Sequence, residues 1–198
     1  MPKVVDVEAT RMRIVRATWG IITKKGIQSV SMRRVASAAG CTTGLITHYF
    51  SDKDELVTHA YKVVLDRMIA DATLRVTQES SVREKLLAAV EAIEPSAPEM
   101  KEFTVVLINF WAQAAFNSTF AARCRQDYKR WRRLIARTIR QGIDAGELRT
   151  GTDVRALTDT ITLLSDGLSV GMTLTPSVYP RRHRHTILNS LLQPYLRQ

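Results

Sequence analysis

The segment that most constrains the fold of this 198-residue chain runs from Ser31 to Lys53, SMRRVASAAGCTTGLITHYFSDK. Ser31 stands where a helix N-cap would accept a backbone N–H, and Gly40 stands where a left-handed residue would end that helix. Thr42 supplies an N-cap for a second helix that ends near Phe50. The sequence therefore predicts two short helices joined by a tight turn just after Gly40.

Apolar and small residues occur in this segment at the spacing of two packed helices. Ala36 stands four residues before Gly40, at the close contact of two steeply crossing helices, and this pattern is typical of a helix-turn-helix. The inward positions are Val35, Ala39, Cys41, Ile46 and Tyr49. Small or polar residues that suit base edges and phosphates occupy the outward positions of the second helix, namely Thr43, Gly44, Thr47 and His48.

The charge distribution favours a polyanionic partner for this part of the chain. The sequence has 29 Lys+Arg against 19 Asp+Glu, which gives a net charge of +10. Nine of these basic residues and three of the acidic ones lie at positions 1–53. Because this quarter carries more than half of the excess, we expect it to bind nucleic acid.

Apolar residues recur at helical spacing along the rest of the chain, and no stretch shows the alternation of a strand. The pattern predicts an all-α fold with a three-helix head at residues 1–53 and a helical bundle at residues 54–198. Its long helices are expected to cover about 53–78, 81–93, 100–117, 119–145, 153–174 and 180–195. The last two helices are apolar on a wide face, and small residues in the first of them allow close helix approach.

The segment from Arg13 to Leu56, with its AxxxG core and the runs KKGIQSVSMRRVA and TGLITHYFSDKDEL, resembles the DNA-binding domain of the TetR family of bacterial repressors. The runs TGLITHYF and MKEFTVVLINFWAQAAFN and the DGL at Asp166 are similar to its choline-responsive repressors of glycine-betaine synthesis. The resemblance implies a homodimer whose last two helices pair in a four-helix bundle and whose heads bind double-stranded operator DNA.

The resemblance also implies which residues contact DNA. Arg33 matches a position that reaches a base or a phosphate, and its guanidinium could fork onto guanine. The predicted DNA-binding residues are Arg33, Thr42, Thr43, Gly44, Thr47, His48, Tyr49 and Lys53. Tyr49 could instead be mainly a core residue. The second helix has no Arg, Lys, Asn or Gln, so specificity is expected to rest on Arg33, on methyl contacts and on DNA shape.

Aromatic residues of the later helices and one acid are the candidates for an effector site. Ring faces attract ammonium groups by roughly 0.5 to 2 kcal/mol each, and a carboxylate could balance the charge of the ligand. The predicted lining is Phe103, Phe110, Trp111, Phe116, Tyr128, Trp131 and Asp166. Core packing is the alternative for each ring. The resemblance favours choline or another small amine as the effector.

One predicted helix is unusually basic, and it raises a competing hypothesis. Its cations are Arg123, Arg125, Lys129, Arg130, Arg132, Arg133, Arg137 and Arg140. They form a solvated face whose stems cover apolar surface, or some of them admit an anionic effector such as an acyl-CoA.

Catalytic and metal-binding motifs such as G-x-S-x-G, H-E-x-x-H and glycine-rich phosphate loops are missing from the sequence. We therefore expect no enzyme, no metal and no cofactor. No apolar run approaches the roughly 18 residues of a membrane span, and we expect a cytoplasmic protein. The sequence predicts a dimeric TetR-type repressor that a small molecule releases from its operator. The alternatives are a DNA-binding regulator without such an effector and, less favoured, an enzyme built in the helical bundle.

Overall fold

The computed structural model describes residues 6–91 and 98–197, except for the side chains of 98–101. The helices are α1 (Val7–Lys25), α2 (Met32–Ala39), α3 (Thr43–Tyr49), α4 (Lys53–Leu74), α5 (Val82–Glu91), α6 (Pro98–Ala114), α7 (Ser118–Asp144), α8 (Val154–Leu174) and α9 (Arg181–Leu192). Short 3-10 helices cover Ile27–Ser29 and Gln193–Tyr195. Extended pairing in the described residues is limited to one antiparallel bridge, Leu148 with Leu196. The predicted all-helical fold is confirmed.

The chain divides into two compact units. Unit 1 comprises residues 1–66 and 105–123, and unit 2 comprises residues 67–104 and 124–198. Helices α4, α6 and α7 each contribute residues to both units. In the described chain, no helix is both long enough and apolar enough to cross a membrane.

Helix α1 begins and ends at residues that satisfy its free backbone groups. The Asp6 carboxylate accepts hydrogen bonds from the backbone N–H of Glu8 and Ala9, at 3.1 and 3.0 Å. At the other end Gly26 has a φ of 76°, a conformation that side chains disfavour, and its N–H donates to the Ile22 carbonyl. The predicted stop at Gly26 is confirmed, and the Asp6 cap starts the helix one residue before the predicted Glu8.

Several helix ends differ from the predicted ones, and α9, predicted to reach residue 195, ends at Leu192, where a 3-10 helix follows. Helix α4 ends at Leu74 rather than near residue 78, since Ser80 Oγ accepts a 3.0 Å hydrogen bond from the Thr77 N–H in a turn. Helix α6 ends at Ala114 rather than 117, because Asn117 Oδ1 instead caps α7 by accepting from the Thr119 N–H at 2.9 Å. Helix α6 starts at Pro98 rather than Met100, and proline suits a first helical position because it lacks an N–H. Part of the predicted break at 94–99 lies outside the described residues, as does Ile93 at the predicted end of α5.

Unit 2 has an apolar core formed by α5, α7, α8 and α9. Its fully buried members include Leu86, Ile135, Ile139, Leu157, Ile161 and Leu188. Gly142 of α7 fits closely against α5, because a Cβ there would lie 2.6 Å from Val82 Cγ2. Ser81 and Glu84 form a capping box at the start of α5, with the Ser81 N–H donating to Glu84 Oε2 at 2.7 Å.

A buried carboxylate, Glu91, joins α5 to α9 within unit 2. Arg181 Nε lies 3.2 Å from Glu91 Oε1, His185 Nε2 contacts the same oxygen, and Arg75 Nη1 lies 3.8 Å from Oε2. Burial raises the pKa of the Glu91 carboxyl, but the hydrogen bonds and charges of Arg181 and His185 outweigh it, so the pKa lies below its usual value. The carboxylate therefore stays ionised and fixes the start of α9.

Candidate functional site

The turn between α2 and α3 is set by one glycine. Gly40 has φ 62° and ψ 42°, the left-handed conformation predicted from the sequence, and no atom outside its immediate neighbours lies near its absent Cβ. The Cys41 N–H reaches back to the Ala36 carbonyl at 3.0 Å, which closes the end of α2. Val35 and Ala36 of α2 and Ile46 of α3 are all buried. The predicted helix-turn-helix is confirmed.

Side-chain caps fix where each of these helices begins. Ser31 Oγ accepts from the Arg34 N–H at 3.3 Å, and Thr42 Oγ1 accepts from the Leu45 N–H at 3.1 Å. Both predicted N-caps are confirmed. Because the Thr42 cap fixes the first turn of α3, it also fixes which residues of α3 face outward.

Helix α3 presents a solvent-exposed face of short side chains. Its exposed residues, with the cap, are Thr42, Thr43, Gly44, Thr47 and His48. The Thr47 hydroxyl donates to the Gly44 carbonyl at 3.0 Å, so its proton is used inside the helix and its methyl is available outside. At Gly44 a Cβ would meet nothing closer than Thr42 Oγ1 at 3.9 Å. Unit 1 therefore does not require glycine at this position for packing.

Two adjacent arginines of α2 differ in their hydrogen bonding. Arg34 Nη1 donates to the Ser29 carbonyl at 3.0 Å. Arg33 is exposed, and its guanidinium has no hydrogen bond or ion pair within the described residues. Of the two, Arg33 therefore has the guanidinium available for an external acceptor.

The end of α3 and the start of α4 carry the remaining predicted DNA-binding residues. His48 is exposed and Tyr49 is half-buried, and their rings meet edge to face with centroids 5.3 Å apart. Lys53, the first residue of α4, is half-buried. Asp52 Oδ1 caps α4 by accepting from the Glu55 N–H at 2.8 Å. The backbone geometry at Lys53 is thus fixed by its neighbours.

The predicted ligand-lining aromatics of unit 1 have different environments. The buried Phe110 ring stacks on Tyr61 with centroids 3.8 Å apart, and its centroid lies 4.7 Å from that of Phe120. Trp111 is half-buried. Phe116 lies in the turn after α6 and is 91% exposed, so it lines no cavity within unit 1. The Phe110 ring, which was predicted to line a ligand site, is therefore packed in the core of unit 1.

The predicted aromatics of unit 2 lie closer to charge. Phe103 is buried, and the Arg67 guanidinium carbon stands 5.9 Å from its ring centroid, a cation–π distance. Trp131 packs against the apolar core, and Tyr128 is half-buried. The face of Phe103 is thus occupied by a cation of the chain itself.

Asp166 is a half-buried carboxyl on α8 with no hydrogen bond or ion pair in the described residues. Burial raises its pKa to about 7, because the charged form loses hydration without gaining a partner. A bound cation beside Asp166 would be the charge partner that the ionised carboxyl lacks. Nowhere in the described chain do three His, Cys, Asp or Glu side chains gather as a metal site requires.

The sequence predicted a wide apolar face with small residues for this helix, but sequence reasoning did not single out a second, exposed stripe on α8. The stripe consists of exposed residues at alternating spacings of four and three, namely Ala156, Thr160, Leu163, Gly167, Val170 and Leu174. Leu163 is 67% exposed and Leu174 is 74% exposed. This spacing is the seam pattern of paired helices, and it is present in the sequence, but the exposure of the stripe follows from the packing. We call these six residues the α8 seam.

Comparison with known proteins identifies the family. Residues 14–60 match the family described as bacterial regulatory proteins, tetR family, and residues 82–197 match the BetI-type transcriptional repressor C-terminal domain. The chain belongs to the TetR family. The second match covers helices α5 to α9, including Asp166 and the α8 seam, so both halves of the sequence agree with the predicted TetR resemblance.

Individual TetR relatives match over part of their length. The chain is 36% identical over 105 residues to the transcriptional regulator PksA of Bacillus subtilis, covering 51% of each chain. It is 34% identical over 119 residues to the transcriptional regulator BetI of Burkholderia cenocepacia, covering 58% of this chain and 59% of BetI. The chain thus spans between half and two thirds of these relatives.

A solved structure shares the fold over nearly the whole chain. It is a transcriptional regulator from Saccharomonospora viridis in complex with choline, with a TM-score of 0.80 and 24% identity, covering 96% of this chain and all of that one. At this identity the similarity establishes the fold alone.

Proposed function

We propose that this chain is a dimeric, operator-binding transcriptional repressor of the TetR type, with a head at residues 1–53 and an effector-binding and dimerisation domain at residues 54–198. The observation that carries the proposal is the exposed, capped face of α3 next to the unpaired guanidinium of Arg33. A convex helix face of short side chains fits the major groove, and its neighbouring cations are attracted to phosphates.

The proposed DNA contacts divide into two kinds. Arg33, Thr43, Gly44 and Thr47 would face base edges, with the Thr47 methyl suited to a thymine methyl. Thr42, His48, Tyr49 and Lys53 would lie along the phosphates and fix the orientation of the head. Few of these side chains can discriminate bases by hydrogen bonds, so DNA shape would supply part of the specificity.

Dimerisation is supported by the α8 seam. An apolar stripe that is exposed in a single protomer is unfavourable in water unless another surface covers it. A second copy of the same helix, related by a two-fold axis, has the matching spacing and small residues at Gly167 and Ala156. Two heads on one dimer would read a pseudo-palindromic site, as two-fold symmetric regulators do.

A small cationic effector is supported by the unpaired carboxyl of Asp166 and by the half-buried rings of Tyr128 and Trp131 in the same unit. The fold relative from Saccharomonospora viridis is itself a choline complex, which makes choline the first amine to test. Helix α4 runs unbroken from Lys53 to Leu74. A ligand that binds one tilt of α4 more tightly than another would shift the spacing of the two heads.

The test is selection from a library of random DNA duplexes by the full chain, followed by titration of the enriched duplex with and without choline. We expect an enriched pseudo-palindrome whose half-sites lie about one helical turn apart. Enrichment of no consensus would contradict operator reading. If choline and other amines leave the affinity for the enriched duplex unchanged, the proposal of an amine effector is contradicted, while the proposal of operator binding is unaffected.

A further inference from the structure

A groove between α7 and the first turn of α8, in unit 2, takes no part in the proposed function. Its volume is about 610 Å³, within the range of small-molecule sites. Five cations line it, namely Lys129, Arg132, Arg133, Arg140 and Arg155. Four of them come from one face of α7, where residues three, four and seven positions apart are neighbours.

Little negative charge balances these cations. Arg132 forms an ion pair with Asp159 of α8. Arg133 Nε donates to the Lys129 carbonyl at 3.1 Å, a contact that neutralises no charge. Within the described residues, the side chains of Lys129, Arg133, Arg140 and Arg155 have no carboxylate partner. Their mutual repulsion would be relieved by an anion that several of them share.

The floor of the groove is apolar. It consists of Ala136, Val154 and Thr158. The buried Thr158 hydroxyl donates to the Val154 carbonyl at 2.6 Å, so its donor is already used inside α8. Ala136 lies four residues from both Arg132 and Arg140 on the same face of α7, and its short side chain leaves space between them. An apolar floor below a cationic rim suits a ligand with one charged end and one apolar or flat part.

We propose that this groove binds a small organic anion that carries two or more phosphate groups beside an apolar or flat portion. Guanidinium groups match phosphate oxygens with paired hydrogen bonds, and several of them converge on this groove. The apolar portion covers Ala136 and Val154. Val154 and Thr158 lie about 140–180° around α8 from Leu163, and Arg155 lies about 80° from it, so the apolar portion of the ligand lies away from the α8 seam.

The test is calorimetric titration of the full chain with ADP, coenzyme A and pyrophosphate at about 150 mM salt, where exposed charges are screened. We expect ADP or coenzyme A to bind, and Arg133→Ala and Arg155→Ala each to weaken that binding at least tenfold. The matched control is Arg137→Ala, which removes an exposed arginine of the same helix outside the groove and is expected to change the affinity less than twofold.

A second variant tests the floor without changing any charge. Ala136→Leu would fill the space between the cations, and circular dichroism would verify that it folds. We expect it to abolish binding of ADP or coenzyme A and to retain the weaker binding of pyrophosphate.

Several outcomes would overturn the proposal. They are binding of none of the probes, equal weakening by Arg137→Ala, and pyrophosphate binding as tight as that of the organic phosphates. Groove variants that lose affinity for random duplex DNA while ADP and coenzyme A bind unchanged would instead make the groove a DNA contact. The calorimetry uses no operator, so its result is independent of the function proposed above.

Discussion

The indole N–H of Trp19 in α1 donates a hydrogen bond to the backbone carbonyl of Ala60 in α4, across a distance of 3.0 Å. Both residues are buried in unit 1, and 41 positions separate them in sequence. The bond ties the first helix to the helix that follows the helix-turn-helix. A change in the direction of α4 therefore has to move α1 as well or break this bond.

Trp19→Phe removes that donor while it keeps an aromatic ring in the core. We expect the free energy of unfolding to fall by about 1 to 2 kcal/mol, from the lost hydrogen bond and the smaller ring. Denaturant unfolding followed by circular dichroism measures this loss. The control is Trp111→Phe, at a half-buried indole that makes no hydrogen bond within the described part of the chain. An equal loss in both variants would mean that ring volume alone matters.

Arg33→Ala removes the proposed base-reading guanidinium. We expect the free energy of operator binding to weaken by about 1 to 3 kcal/mol, since the complex would lose the paired hydrogen bonds from the guanidinium to guanine or to a phosphate. Fluorescence anisotropy at fixed salt, with a scrambled duplex beside the operator, measures the change. Arg182→Ala, at an exposed arginine of α9, is the control. Equal losses for operator and scrambled DNA would reduce Arg33 to a phosphate contact.

Gly44→Ala separates a requirement of the fold from a requirement of DNA. A Cβ at this position has room in the protein, and alanine is a better helix former than glycine by up to about 1 kcal/mol. We therefore expect unchanged or slightly raised thermal stability together with at least tenfold weaker operator binding, because the methyl group would meet the DNA. Operator binding as strong as that of the unmodified chain would show that α3 does not approach DNA closely at Gly44.

Leu163→Glu tests the α8 seam. A charge in the middle of an apolar helix pair would be buried without a partner, which strongly disfavours association. Sedimentation velocity is expected to show monomers at micromolar concentration. Leu74→Glu, which alters an 85% exposed leucine at the end of α4, is expected to leave the dimer intact. Dimers that survive Leu163→Glu would place the interface on another surface.

Asp166 gives the proposed amine site a characteristic pH dependence. Its carboxyl has a pKa of about 7, so below neutral pH it is protonated and offers a cation no charge. We expect choline affinity to rise roughly tenfold between about pH 6 and pH 8. Asp166→Asn should bind choline weakly and without this slope, whereas Asp144→Asn, at an exposed acid of α7, should keep it.

The raised pKa of Asp166 also predicts that the stability of the free protein changes with pH in the opposite direction to its choline affinity. The folded chain holds the Asp166 proton up to about pH 7, while the unfolded chain releases it near pH 4, so stability falls as the pH rises between these values. Asp166→Asn should therefore remove part of this loss and stabilise the free protein at pH 8. A destabilised Asn variant would show that the carboxyl has a partner when the protein folds.

Local chemistry in the sequence was sufficient to predict the helix-turn-helix. The caps at Ser31 and Thr42 and the left-handed Gly40 depend only on residues a few positions away. Helix ends were harder to predict where two signals compete. At Asn117, apolar periodicity favours continuing α6, but the side-chain amide forms a better bond as the cap of α7.

Contacts between distant residues could not be predicted in the same way. The stacking of Phe110 on Tyr61 joins α6 to α4 in the core, and a helical spacing of aromatic residues looks the same whether the rings surround a cavity or fill it. The α8 seam became visible because the fold buries Leu168 and leaves Leu163 exposed. Periodicity shows that a helix has two apolar stripes, but only packing shows which stripe is covered.

The turn at Gly40 has a consequence for the handedness of the chain. Its backbone angles are favourable for a residue of mirror-image chirality, and a Cβ in the ordinary L position would meet no atom within 4 Å. The backbone angles of this turn are ones that D-alanine favours, whereas L-alanine would have to hold a disfavoured left-handed conformation. The turn between α2 and α3 thus depends on an achiral residue, which takes a conformation natural to the opposite enantiomer without the cost that a side chain imposes.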